Sequence, residues 1–203
     1  HETGQWCGFP NFNEIRKYTG VNKAKNFEIF RDILNDNHMG GQSYDFMMAS
    51  GKLQALCYKH EIEKTLRTPD YAGFQLLALN DYSGQGTALV GVLDVFFEEK
   101  GYINAEQFRR FCSPTVPLAR IPKFVYANDE TFHADIEVSH FGAAPLQGAK
   151  TSYTIKDKFG KVYAKGTVGT QTIPIGNLCA LGSVDMNLKE IDTPQKLNLE
   201  VCI

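Results

Sequence analysis

The first seven residues, HETGQWC, put an acid, a glycine, an amide and an aromatic ring within one short stretch. A carboxylate can serve as nucleophile or general acid/base. An indole offers a flat apolar face, and a ring beside a carboxylate is a common way to build a sugar-binding cleft. Glu2 and Trp6 are therefore candidate functional residues, although a lone Glu more often solvates a surface and a lone Trp more often fills a core. It is their company that lifts both. The chain opens without Met and in mid-motif, so a piece of something longer is expected.

Other chemistry is sparser. Asp81 ends the apolar run GFQLLALND, where an α/β sheet presents functional side chains; an Asp in that position equally caps the next turn. The stretch SGQGTALVG, residues 83–91, lacks the Lys-Ser/Thr of a phosphate-binding loop and the third glycine of a dinucleotide fingerprint, and reads as a tight loop after a strand. His1, His38, His60, His133 and His140 do not fall at metal-ligand spacing, and HEIEK lacks the second His of HExxH. No metal and no cofactor is expected. The five cysteines are odd in number and widely spaced, so they encode neither a disulfide framework nor a CxxC site and read as mostly buried small hydrophobes.

The elements that must position these residues fall into two textures. From Val21 to Asn35, and from Gln42 to Arg67, apolar residues recur at threes and fours, in the second case through Phe46, Ala49, Leu53, Leu56, Cys57 and Leu66. Two amphipathic helices are predicted. GFQLLALND fits a strand buried on both faces, Thr87 to Glu98 a helix or irregular wrap, and Asn104 to Phe111 a short helix with Asn104 as N-cap and Gln107 at the capping-box position. Pro114, Pro117 and Pro122 mark a boundary. Beyond it, ETFHADIEVSHFG, KTSYTIKDKFGKVYAKGTV and QKLNLEVCI alternate like the strands of an antiparallel sandwich.

With 203 residues, 43% of them hydrophobic, the chain can bury a real core. Residues 1–118 carry 12 basic against 14 acidic side chains, and the remainder 9 against 9, so no basic footprint for nucleic acid exists. No apolar run approaches the roughly 18 residues of a membrane span, and no signal-peptide pattern is present.

HETGQWC, LRTPDYAGFQLLALNDYSGQGTALVGVLD and RFCSPTVPLARIPKF together resemble the C-terminal part of glycoside hydrolase family 2, the β-galactosidase and β-glucuronidase group, in the form common in Bacteroidetes. The resemblance implies an α/β plus all-β chain: residues 1–118 as the last strands and helices of a partial (β/α)8 barrel, and residues 119–203 as an immunoglobulin-like β-sandwich that stops short of its last strand. It further implies retaining hydrolysis of a β-glycoside by double displacement, with Glu2 as nucleophile and His1, Trp6, Gln75 and Asp81 around the sugar. Glu2 and Gly4 match the family's nucleophile motif without its intervening aromatic. Gly73 and Asp81 match strand eight, where Leu77 stands in place of a substrate-facing Trp.

The acid/base Glu is then expected upstream of His1, the chain alone is expected to be inactive, and the exposed edges of a partial barrel predict self-association. The parent enzyme is expected to be periplasmic or extracellular. The alternative is a non-catalytic β-sandwich, a carbohydrate-binding or spacer module with a helical extension.

Overall fold

The computed structural model describes residues 1–82 and 88–203. The chain divides into two compact units, one of residues 1–65 and 72–112, the other of 66–71 and 113–203.

The first unit is built on helices. A 3-10 helix spans Phe12–Lys17, its N-cap Asn11 accepting from the Asn13 N–H; α1 spans Lys25–Asp36, α2 Ser43–Leu66 and α3 Ala105–Arg109. α3 carries the capping box: the Asn104 side chain accepts from Gln107 N at 2.9 Å, and Gln107 Oε1 accepts from Asn104 N at 3.1 Å. Two orphan N–H groups are thereby satisfied, which lets so short a helix persist.

The partial (β/α)8 barrel does not form. Among the described residues of this unit there is no parallel sheet, only isolated bridges, Thr3 with Leu76 and Asn80 with Leu93 parallel, Tyr82 with Ala88 and Leu93 with Glu99 antiparallel. GFQLLALND is not buried on both faces, because Leu77 and Leu79 are exposed. Extended segments here are held by side chains of α2 more than by neighbouring strands. With no barrel there are no barrel edges, and the self-association predicted from them loses its basis.

The burial of α2 also departs from the sequence reading. Leu53 and Leu56 are each 61% exposed, whereas the buried line is Met47, Gly51, Gln54, Tyr58 and Ile62. These residues recur at threes and fours and share one face. The face is half polar because its partners are backbone carbonyls, which need donors. Gly51 sits in mid-helix, where it is unfavourable, because an added Cβ would lie 2.1 Å from the Tyr102 ring.

The second unit is an antiparallel sandwich. Its strands are β1 (Thr115–Arg120), β2 (Thr131–His140), β3 (Leu146–Asp157), β4 (Val162–Ile173), β5 (Gly176–Asn187) and β6 (Leu197–Cys202). One sheet has the order β1-β2-β5 and the other β4-β3-β6. Ala134, Ile136 and Val138 of β2 alternate inward to meet Ile155, Ile173, Leu181 and Val184, the two-residue period of a half-buried strand. Pro117 sits in β1, an edge strand, where a missing N–H is tolerated. A bulge lies between the pairs Ile136–Gly182 and Glu137–Ala180, which leaves Leu181 as the extra residue and turns it into the core. At the β3–β4 turn, Asp157 Oδ1 accepts from Phe159 N at 2.8 Å and Lys161 N at 3.0 Å, so the KFGK turn is capped by the residue before it.

Candidate functional site

The opening segment of the first unit is gripped by one stripe of α2. Ser50, Gln54, Tyr58 and Glu61 lie at intervals of four, four and three along the helix and so share a face. Ser50 Oγ accepts from Phe9 N at 2.8 Å, and Gln54 Nε2 donates to Trp6 O at 2.6 Å and to Leu89 O at 2.9 Å. Tyr58 Oη lies 2.6 Å from Val90 O and 2.8 Å from Gly4 O, and Glu61 Oε1 accepts from Trp6 Nε1 at 2.8 Å. Burial, reinforced by Glu61 and Asp81, pushes the Tyr58 hydroxyl up to about 12, so it stays a donor. The glycine of HETG follows directly: Gly4 has φ +86°, and a Cβ there would lie 2.0 Å from the Tyr58 ring.

Backbone pairing lays the segment around Thr3 alongside the chain at Gln75 and Leu77. Thr3 N donates to Gln75 O at 2.8 Å, and Leu77 N donates to Thr3 O at 3.0 Å. Glu2 holds a left-handed conformation, φ +56°, which is uncommon and strained for a residue with a Cβ. Its carboxylate is half exposed, with His1 Nδ1 3.9 Å away, and Gln5 Nε2 donates to its carbonyl at 3.2 Å. Trp6 is 49% exposed.

Asp81 lies elsewhere in chemical terms. It is 2% exposed, its Oδ2 is 2.5 Å from Lys100 Nζ, and its Oδ1 accepts from Gly91 N at 3.0 Å. Burial pushes its carboxyl up, against the pull of the Lys100 ammonium and the Gly91 N–H. Lys100 also donates to Gly91 O at 2.8 Å. Asp81 thus ties three chain segments together.

Sequence reasoning missed the rest of this buried polar network. Asp94 is salt-bridged to Lys17 at 2.6 Å and accepts from Phe96 N and Glu98 N at 2.8 and 3.0 Å; burial pushes its pKa up, but these donors outweigh it and the carboxyl ends below its ordinary value. Glu14, 1% exposed with Oε2 lacking a hydrogen bond, is raised to about 7 by burial and then by Asp94 and Asp81. The signal available in the sequence was only the number of acids, since nothing local says which are buried.

Glu14 implies a pH dependence of definite sign. Its folded pKa exceeds the ordinary 4.5, so the folded state binds a proton that the unfolded state has released between pH 4.5 and 7. Stability of this unit therefore falls as pH rises through that window and is level above it. The full span is about 3 kcal/mol at 1.36 kcal/mol per unit. Urea midpoints followed by tryptophan emission should drop from pH 5 to pH 8 in the wild type and stay level in Glu14→Gln. An equal slope in both proteins would show that another group is responsible.

The cysteines are less buried than their composition suggested: Cys7 and Cys202 are exposed, and Cys57, Cys112 and Cys179 are intermediate. The glycine-rich stretch falls largely on residues 83–87, outside the described residues. Among the described residues no group of three or more His, Cys, Asp or Glu side chains is placed to hold a metal ion, and no helix is long and apolar enough to cross a membrane.

The geometry defines a helical unit whose α2 side chains grip the N-terminal segment at Gly4, Trp6 and Phe9, and a two-sheet antiparallel sandwich. A family described only as "Domain of unknown function (DUF8488)" matches residues 130–203, within the sandwich unit. No curated protein matches the chain. Among solved structures, the chain is similar to the crystal structure of a β-D-mannosidase from Dictyoglomus thermophilum, with a TM-score of 0.52, 16% identity and coverage of 99% of this chain and 28% of that one. At that identity the likeness is one of fold, and the chain spans under a third of the length of the mannosidase.

Proposed function

We propose that this chain is part of a retaining β-glycosidase of the glycoside hydrolase family 2 type, with Glu2 as its nucleophile and Trp6 as a wall of the sugar subsite. The observation that carries the reading is the fold likeness to a glycosidase over 99% of the chain. The strained backbone at Glu2 and the four-point grip on residues 4–9 add support, since strain and preorganisation concentrate where geometry matters for chemistry. His1 and Gln75 flank the carboxylate in this reading, and Asp81 supports the loop from beneath. The parent protein is proposed to be exported and to act on a β-linked sugar such as a galactoside.

Retention requires a second carboxyl group roughly 5 to 5.5 Å from the nucleophile as acid/base. In this reading it is supplied from outside these 203 residues, so the chain alone hydrolyses no chromogenic β-galactoside above the buffer rate. The decisive test uses the full-length natural protein bearing this sequence and 2-deoxy-2-fluoro-β-glycosyl fluorides of the galacto and manno series. Fluoride leaves without protonation, so the trap reports the nucleophile alone. The expected result is one glycosyl mass on the peptide containing Glu2, absent in Glu2→Gln. A label on a different carboxylate, or none from either sugar, rejects the assignment.

A second reading, the sandwich as a binding or spacer module, draws on the family match being confined to residues 130–203. It predicts that residues 113–203 keep any carbohydrate affinity after the first unit is removed.

A further inference from the structure

Trp6 is the chain's single tryptophan, and it is held at both ends by one helix. Its carbonyl accepts from Gln54 Nε2 at 2.6 Å, and its ring N–H donates to Glu61 Oε1 at 2.8 Å. Gln54 and Glu61 are seven residues apart on α2, two turns along the same face. The ring is nevertheless 49% exposed. A half-exposed indole could give its N–H to water and turn freely; here a carboxylate far away in sequence takes that N–H instead.

The carboxylate is itself unusual. Glu61 Oε2 is shut off from solvent and makes no hydrogen bond, so the group carries a desolvation cost that a surface acid would avoid. Unsatisfied buried polar atoms are rare in folded proteins and call for a reason. A charge-assisted N–H···O bond is about twice as strong as a neutral one and fixes direction as well as distance.

We propose that Glu61 is a positioning residue that locks the Trp6 indole in one orientation, making its free face a preorganised platform for the apolar face of a pyranoside. The proposal rests on the glycosidase reading for the identity of the ligand, and on the geometry of α2 for the role of Glu61. Preorganisation raises affinity by removing the entropy otherwise lost when a rotamer-rich side chain is immobilised. Gln at position 61 can still accept the indole N–H through its amide oxygen, whereas Ala cannot.

Because Trp6 is the sole indole, its fluorescence reports on the ring alone. In the 203-residue chain, Glu61→Ala is expected to red-shift the emission, lower its anisotropy and raise acrylamide quenching about two-fold, with Glu61→Gln close to wild type and helical circular dichroism the same in all three. Emission and quenching in Glu61→Ala identical to wild type would overturn the positioning role, whatever the ligand. In the same samples, titration with methyl β-D-galactopyranoside and methyl β-D-mannopyranoside should change wild-type emission, with affinity about three- to ten-fold weaker in Glu61→Ala and largely kept in Glu61→Gln. Equal affinity in wild type and Glu61→Ala overturns the proposal as well. Silence from both sugars in the wild type refutes the platform and with it the sugar reading of Trp6, while the quenching comparison separately decides whether Glu61 orients the ring.

Discussion

Gly91→Ala is expected to unfold the first unit or to cost it more than about 4 kcal/mol. A Cβ at position 91 would lie 2.1 Å from the backbone carbon of Asn80 and 2.3 Å from Asp81 N, and backbone cannot rotate away as a side-chain tip can. Overpacking alone costs about 1–3 kcal/mol and occasionally more. Here the displaced atoms also carry the Asp81 N–H bond to Leu93 O at 2.9 Å and the carboxylate that accepts from Gly91 N. Urea or thermal unfolding followed by Trp6 emission reads this unit specifically, because the only indole lies within it. Gly20→Ala is the control, since a Cβ there meets nothing within 4 Å. Equal midpoints for the two variants would show that the chain accommodates residue 91 by a local shift.

The second large effect belongs to Lys100. Removing one partner of a buried ion pair leaves an uncompensated charge and typically costs 3–5 kcal/mol. Lys100→Met strands Asp81, which is 2% exposed, and removes the ammonium from Gly91 O. Because burial already pushes the Asp81 carboxyl up, the variant should take a proton there and regain part of its stability as pH falls. Asp81→Asn combined with Lys100→Met should cost less than the sum of the single changes, since neither charge then remains buried alone. A Lys100→Met protein within about 1 kcal/mol of wild type across pH 5 to 8 would mean that water reaches Asp81. These results bear on the proposed site, because the Asp81–Lys100–Gly91 knot supports the loop whose carbonyls at Leu89 and Val90 meet Gln54 and Tyr58.

The exposed Leu53 and Leu56 mark where the sequence misled. The threes-and-fours rule finds a helix because apolar side chains on one face usually go inside. α2 instead turns Gln54 and Tyr58 inward, and the rule has no means of seeing that its partners are carbonyls of residues 4, 6, 89 and 90. The apolar run after Gly73 failed for a related reason: continuous hydrophobicity says only that a segment is apolar, and a barrel strand needs parallel neighbours that this unit does not form.

What the amino-acid order determined by itself was local. The presence of α1 and α2, the Asn104–Gln107 capping box, the Asp157 turn and the alternation of β2, β3, β4 and β6 arise from interactions within a few residues or from simple periodicity, while the start of α1 lies at Lys25, four residues past the Val21 that periodicity gave. HETGQWC stood out for its residue types alone. Tertiary structure decided the rest: that Gly4 makes room for Tyr58, that Trp6 is tied to Glu61 across 55 positions, that Asp81 is buried against Lys100, and that Glu14 is enclosed so that burial pushes its carboxyl up. Such pairings form between segments distant in the chain, and their strength depends on burial, a property that no short stretch of sequence carries.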